Sequence, residues 1–177
     1  MNNEIKIGIL VLIIIVLLII VIRNSMVVKI KKIERNKALV DVFLKKRYDL
    51  IPNLVEVCKG YSNFEKETLE HIIKLRSDFN ANPTNDNEHL LNSEYKNLLA
   101  HIESYPNLKA NETYLNLQKE MSSVENELQA SRRIYINSVT SYNNLVMMFP
   151  CSIIAKLFNF KQMDLPSFSY DNIKIDF

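Results

Sequence analysis

Glycine is nearly missing from this chain: Gly8 and Gly60 are the only two in 177 residues. A dinucleotide-binding G-x-G-x-x-G turn, a phosphate-cradling P-loop and a nucleophile elbow each need glycines clustered within a few positions. Two isolated glycines exclude all of these, and with them the common α/β nucleotide enzymes. Tryptophan is absent and prolines number five. An all-β domain turns every eight to twelve residues or so, and this chain has too few turn residues for that. Cysteine is scarce as well. Cys58 and Cys151 stand 93 positions apart, so neither a CxxC zinc site nor a disulfide framework can be written. The expectation is an all-α protein.

Charge is balanced only in total. Residues 23–48 carry nine Lys/Arg against Glu34 and Asp41, a net of +7, whereas residues 49–177 carry twelve basic and seventeen acidic groups, a net of −5. Ahead of that basic collar every residue from Ile7 through Val16 to Ile22 is apolar, Gly8 included, and Ile5 extends the run past Lys6. About 18 residues make roughly 27 Å of helix, close to the ~30 Å hydrocarbon core of a bilayer. A cleaved signal peptide would have a shorter apolar region and small residues at a cleavage site. Here Arg23-Asn24-Ser25 follows and then more basic helix, so the run reads as a retained transmembrane anchor. Arg23, Lys29, Lys31, Lys32, Arg35 and Lys37 crowd its far side, and positive-inside bias keeps that side cytoplasmic. The expected topology is a single-pass protein of the cell membrane, amino terminus outside and body in the cytoplasm. The collar is read as stop-transfer charge and a solvated face; attraction to anionic lipid, about 1 kcal/mol per basic residue, is the competing reading.

Four helical stretches follow from periodicity and breakers. The first continues from the collar to about Tyr48 on Ile30, Ile33, Val40 and Leu44. Asp49 is placed to cap a second, with Pro52 in its first turn; it runs to about Phe79 on Leu54, Cys58, Tyr61, Ile72, Leu75 and Phe79. A third covers about Glu88–Ser104. The fourth, from Asn111 to Met148, has the strongest pattern: Leu117, Met121, Val124, Leu128, Ser131, Tyr135, Ser138, Tyr142, Leu145 and Phe149 alternate spacings of four and three. Four such heptads form a packing seam, and Pro150 stops it. The fold class is therefore all-α, an N-terminal transmembrane helix followed by an antiparallel up-and-down bundle of four long helices. By segment, 1–22 is the extracytoplasmic tip and anchor, 23–150 the bundle with its basic juxtamembrane start, and 151–177 a short helix and tail. Counting directions returns the chain to the membrane at Pro150. There Ile153, Ile154, Leu157, Phe158 and Phe160 either close the bundle end or dip into the lipid interface.

The run RYDLIPNLVEVCKGY, Arg47 to Tyr61, closely resembles the signature of the LemA family of bacterial membrane-anchored helical proteins. The likeness continues through Glu65-Lys66-Glu67-Thr68-Leu69, resumes at Tyr105 to Asn111 (YPNLKAN), and runs on through Leu117-Gln118, Glu125, Arg132, Tyr135, Val139 and Tyr142-Asn143 to Phe149-Pro150 and Ile154-Ala155. Most of residues 40–160 is covered. The chain departs from the family where a Trp is expected shortly before Asp41, where Ile136 stands for Asn, and where Asn159 stands for Gly. The resemblance implies an N-terminal anchor, long antiparallel helices and no established enzymatic activity. It marks Arg47, Asp49, Pro52, Asn53, Gly60, Tyr61, Glu125, Arg132, Tyr135, Tyr142 and Pro150 as structural motif residues.

Physical reasons for those positions can be given. Arg47, Asp49 and Asn53 surround the start of the second helix, with Arg47 as ion partner of a capping Asp49; fixing a helix corner competes there with binding a ligand. Glu125 and Arg132, seven apart on one helix face, are expected to set register or partner choice beside the seam. Tyr135 and Tyr142 bury their rings while their hydroxyls seek polar partners. Chemistry has less to stand on. A di-iron bundle needs Glu-x-x-His, but Thr68, Asp86 and Leu98 precede His71, His89 and His101 by three. Glu67 and His71 are a single i,i+4 pair. Cys58 falls on an apolar stripe, where a thiol is inert, and Cys151 at a helix end is the more reactive of the two. No catalytic residue, cofactor or metal is assigned. The expected partners are the lipid bilayer and a membrane or cytoplasmic protein, with self-association open and nucleic acid excluded by the acidic body. Three functions compete: a membrane-tethered, non-enzymatic interaction or scaffold module, which is preferred; a membrane-remodelling or lipid-sensing protein; and a metal-binding bundle enzyme.

Overall fold

The structure is a computed structural model and describes residues 3–60, 66–166 and 168. Among these residues every regular element is helical: α1 (Asn3–Asp49), α2 (Ile51–Lys59), α3 (Lys66–Ala81), α4 (Asn85–Ile102), α5 (Pro106–Lys109), α6 (Glu112–Met147) and α7 (Cys151–Leu157). The fold is all-α, and α1, α3, α4 and α6 are its four long helices. The described residues form two compact units, 1–40 with 130–169 and 41–129, so α1 and α6 each contribute a stretch to both.

In the first unit the two helices run antiparallel. Lys29 on α1 donates to the Ser141 hydroxyl on α6 at 2.7 Å. From Ile5 to Leu18 no α1 residue is covered by the rest of the chain. Burial begins where the apolar run stops: Met26 and Ile33 pack with Val139, Tyr142, Val146 and Ala155, and Ile22, Ile30, Tyr135, Leu145, Cys151, Phe160 and Met163 pack around them. The seam read from the sequence holds from Leu117 to Tyr142, but its last position does not. Val139 and Val146 are buried and Phe149 stands out in the open. α6 ends at Met147, so Phe149 lies past the helix and off its buried stripe.

After α7 the chain closes a Schellman turn. The Phe160 N–H donates to the Ala155 carbonyl at 2.8 Å and the Asn159 N–H to the Lys156 carbonyl at 3.3 Å. Asn159 has φ of 57°, the left-handed conformation that this cap requires and that glycine adopts without steric cost. Among residues with a side chain, Asn is one of the few that visit this conformation routinely. Past the cap, residues 160–163 lie back on α6. Tyr142 donates its hydroxyl to the Lys161 carbonyl at 3.0 Å, and the Asn143 side-chain amide meets both backbone groups of Met163.

In the second unit, three sequence expectations are corrected. The helix read as continuous from Pro52 to Phe79 is two helices. α2 ends at Gly60 and α3 begins at Lys66, and α3 runs back so that Arg76 reaches the end of α1. Asp49 caps nothing: α1 includes it, only Leu50 separates α1 from α2, and Leu50 keeps right-handed helical angles with no side-chain cap. The first reversal of direction therefore lies after Gly60. Pro52 still sits in the first turn of α2, where its missing N–H costs no hydrogen bond. Elsewhere the starts follow the rules. Thr84 caps α4 through the Asn87 N–H, Asn111 caps α6 through the Tyr114 N–H, and α4 begins three residues earlier than its periodicity suggested. Tyr61 and residues 169–177 of the tail lie outside the described residues.

Candidate functional site

The second unit has an ionic group at its centre. Arg47, on the α1 stripe that also buries Val40 and Leu44, is itself buried. Its Nε lies 3.3 Å from Glu125 Oε2 on α6. These two atoms are in ion-pair contact without hydrogen-bond alignment. The other Glu125 oxygen accepts from the Gln129 amide at 2.8 Å. Two aromatic rings enclose the guanidinium, Tyr95 of α4 at 5.1 Å and Tyr48 at 5.8 Å to the ring centroids. Burial pushes the Tyr95 hydroxyl well above its ordinary range, with Arg47 opposing and Glu125 reinforcing that shift. The centre holds a fixed charge pair and a phenol that keeps its proton.

Arg47 is therefore not the partner of Asp49, as its nearness in sequence suggested. Arg76 takes that place, donating through one guanidinium nitrogen to Asp49 Oδ1 at 2.7 Å and through Nε to the Tyr48 carbonyl at 2.9 Å. Phe79, one turn on, meets the Tyr48 ring edge-on at 5.1 Å. Arg76 and Tyr95 went unread in the sequence. The signal for Arg76 was a cation on the buried stripe of Leu69, Ile72 and Phe79; nothing marked Tyr95.

The remaining motif residues separate. Glu125 belongs to the second unit, while Arg132 lies in the first, its guanidinium 4.9 Å over the Phe168 ring. Tyr135 is half-buried and 6.2 Å from that same ring. Tyr142 is buried and, as expected, its hydroxyl finds a partner. Asn53 and Gly60 are exposed and Pro52 half-buried. Gly60 has helical angles, and an added Cβ would meet only the Val57 carbonyl at 3.5 Å, so sterics do not demand glycine there. Burial pushes the Cys58 thiol up to about 11. Cys151 is half-buried. His71, His89 and His101 are all exposed, and the described residues contain no group of three or more His, Cys, Asp or Glu placed to hold a metal.

The basic collar divides the same way. Arg23, Lys32, Arg35 and Lys37 are exposed, and Lys31 pairs with Glu34 at 2.8 Å. Lys29 and Lys32 line a half-open cleft of about 190 Å³ with Ile134, Asn137, Ser138 and Ser141. Two ammonium groups, one of them bonded to the Ser141 hydroxyl, line it with hydroxyls, an amide and Ile134, and no carboxylate does.

An all-α chain with one N-terminal helix long and apolar enough to cross a membrane defines the class, a helical-bundle protein with a single candidate membrane span. Within that class the chain belongs to the LemA family, whose model matches residues 36–177. It is 28% identical over 139 residues to Protein LemA of Metamycoplasma hominis, an alignment covering 76% of this chain and 64% of that protein. The chain thus spans 64% of the length of the curated relative it matches. The family match begins beyond the apolar run, so the membrane reading rests on residues 5–22 themselves.

Proposed function

We propose that this protein is a non-enzymatic interaction module tethered to the cell membrane by α1, with its amino terminus outside and its helical body in the cytoplasm. One observation carries the reading. The apolar run is uncovered from Ile7 to Leu18, yet the same helix joins a packed core at its end, at Ile22 and Met26. A core helix of a water-soluble protein buries its apolar surface, and this one leaves it for lipid. The orientation is supported by the six basic residues between Arg23 and Lys37. The absence of catalysis is supported by membership of a family not known for enzymes. The partner is expected to be a membrane or cytoplasmic protein docking on the exposed helix faces.

Membrane fractionation and protease protection test this. The full chain should require detergent for extraction. Protease added to intact cells should leave residues 41–129 whole, while protease added to inverted vesicles should cut them. Release of the chain into the aqueous fraction, or digestion from outside, would refute the proposal.

The cleft between Lys29 and Lys32 favours a second reading, contact with an anionic lipid headgroup. Phosphatidylglycerol should then be enriched among lipids retained by the detergent-solubilised protein. The Lys29→Ala/Lys32→Ala pair should lose that enrichment while the protein stays in the membrane.

A further inference from the structure

Antiparallel helices with a known register carry a depth scale. The Lys29–Ser141 hydrogen bond sets residue 141 of α6 beside residue 29 of α1. Both helices rise about 1.5 Å per residue in opposite senses, so residue 148 stands beside residue 22. Residue 22 is the last of the apolar run, with Arg23 next. The end of α6 therefore arrives at the level where α1 passes from hydrocarbon to headgroups. Ala155 shares a buried cluster with Met26, and Cys151 and Ile22 both pack against that cluster, which independently places α7 near this level.

The residues at that level are not those of a water-facing surface. α7 turns Ile154 and Ala155 inward and leaves Ile153 60% and Leu157 70% exposed, one turn apart on its outer side. Just before it, Met148 is 61% and Phe149 80% exposed. Ile154 and Ala155 are buried and Phe160 packs against the core of the first unit, so these four large side chains are left outside it. Lys156 and Lys161 are exposed beside them, as expected of side chains that extend their charge toward phosphates from an apolar footing.

We propose that Met148, Phe149, Ile153 and Leu157 insert into the interfacial layer of the leaflet from which α1 emerges, giving the protein a second, shallow membrane contact. The proposal rests on the reading of α1 as a membrane span. The occupant of this surface is the bilayer because the register places the patch at its boundary, level with the end of the apolar run of α1. The Asn143–Met163 and Tyr142–Lys161 bonds then serve to hold α7 at that depth.

The chain lacks tryptophan, so a single introduced indole reports one site. Full-length variants Phe149→Trp, Ile153→Trp and Leu157→Trp are reconstituted in phosphatidylcholine–phosphatidylglycerol vesicles, with Leu12→Trp marking the span and the exposed Leu90→Trp of α4 marking water. Native helix content by circular dichroism is the criterion for including a variant. The three test sites should show blue-shifted emission and lose intensity with lipids brominated near the headgroup end of the acyl chain. Leu12→Trp should lose it with deeply brominated lipids, and Leu90→Trp with neither. Water-like emission at the test sites with Leu12→Trp quenched would overturn this proposal and leave the span intact. Blue-shifted but unquenched test sites would mean that protein covers the patch, which also overturns it. An unquenched Leu12→Trp would remove the span and this contact together.

Discussion

The side-chain amide of Asn143 closes a two-bond ring with the backbone of Met163, donating to its carbonyl at 2.8 Å and accepting from its N–H at 2.9 Å. Twenty positions apart in the chain, the two residues tie the segment after α7 to the last turns of α6. Asn143→Ala leaves both Met163 groups without their partner, at a cost of about 1–3 kcal/mol. Hydrogen exchange should show the Met163 amide losing protection while amides in α3 and α4 keep theirs. Unchanged protection at Met163 would count against the clamp.

The buried pair of Arg47 and Glu125 should behave unlike the exposed pair of Lys46 and Glu127, whose charged atoms are 3.7 Å apart. Arg47→Met strands a mostly buried carboxylate and should cost about 3–5 kcal/mol in thermal unfolding followed by helix content. Adding Glu125→Leu should restore most of that loss, because no unpaired charge then remains. Lys46→Met should cost less than about 1 kcal/mol. A double variant as unstable as Arg47→Met alone would show that the charge pair is not the source of the effect.

At Asn159 the backbone rather than the side chain sets the outcome. With φ of 57°, Asn159→Gly should hold or raise stability. Asn159→Ala should lower it by about 1 kcal/mol, because its Cβ meets the following carbonyl and no side-chain amide compensates. Melting temperatures of the two variants, measured side by side in one detergent, give the sign directly.

Alkaline pH should weaken the fold through Cys58. Burial raises its thiol from 9.0 to about 11, so between those values the folded chain keeps a proton that the unfolded chain has released. Stability from this group is complete below pH 9.0 and is lost as pH rises through about 11. Cys58→Ala should flatten the pH dependence of unfolding across that window. Some slope will persist, since burial raises Tyr95 and Tyr114 as well.

Much of this protein was legible from local pattern alone. A run of apolar residues with no polar stripe has few stable environments, and a three-four spacing held over several heptads makes a packing helix whatever surrounds it. The helical class, the uncovered apolar helix at 7–18 and the α6 seam as far as Tyr142 follow from that. Helix corners were harder, because capping competes with continuation over a few residues and packing elsewhere decides between them. Asp49 has the chemistry of a cap, but α1 runs through it and Arg76 takes its carboxylate.

Only the tertiary structure decided which charge meets which. Arg47 has Asp49 two residues away and Glu125 seventy-eight away, and burial on the α1 stripe directs it to the distant one. It also decided that Glu125 and Arg132, neighbours on one helix face, serve separate units, and that Phe149 leaves the seam it was counted in. Periodicity says which side of a helix is covered. What covers it, and at what depth in or out of lipid, depends on long-range register, which a chain acquires only when its helices pack.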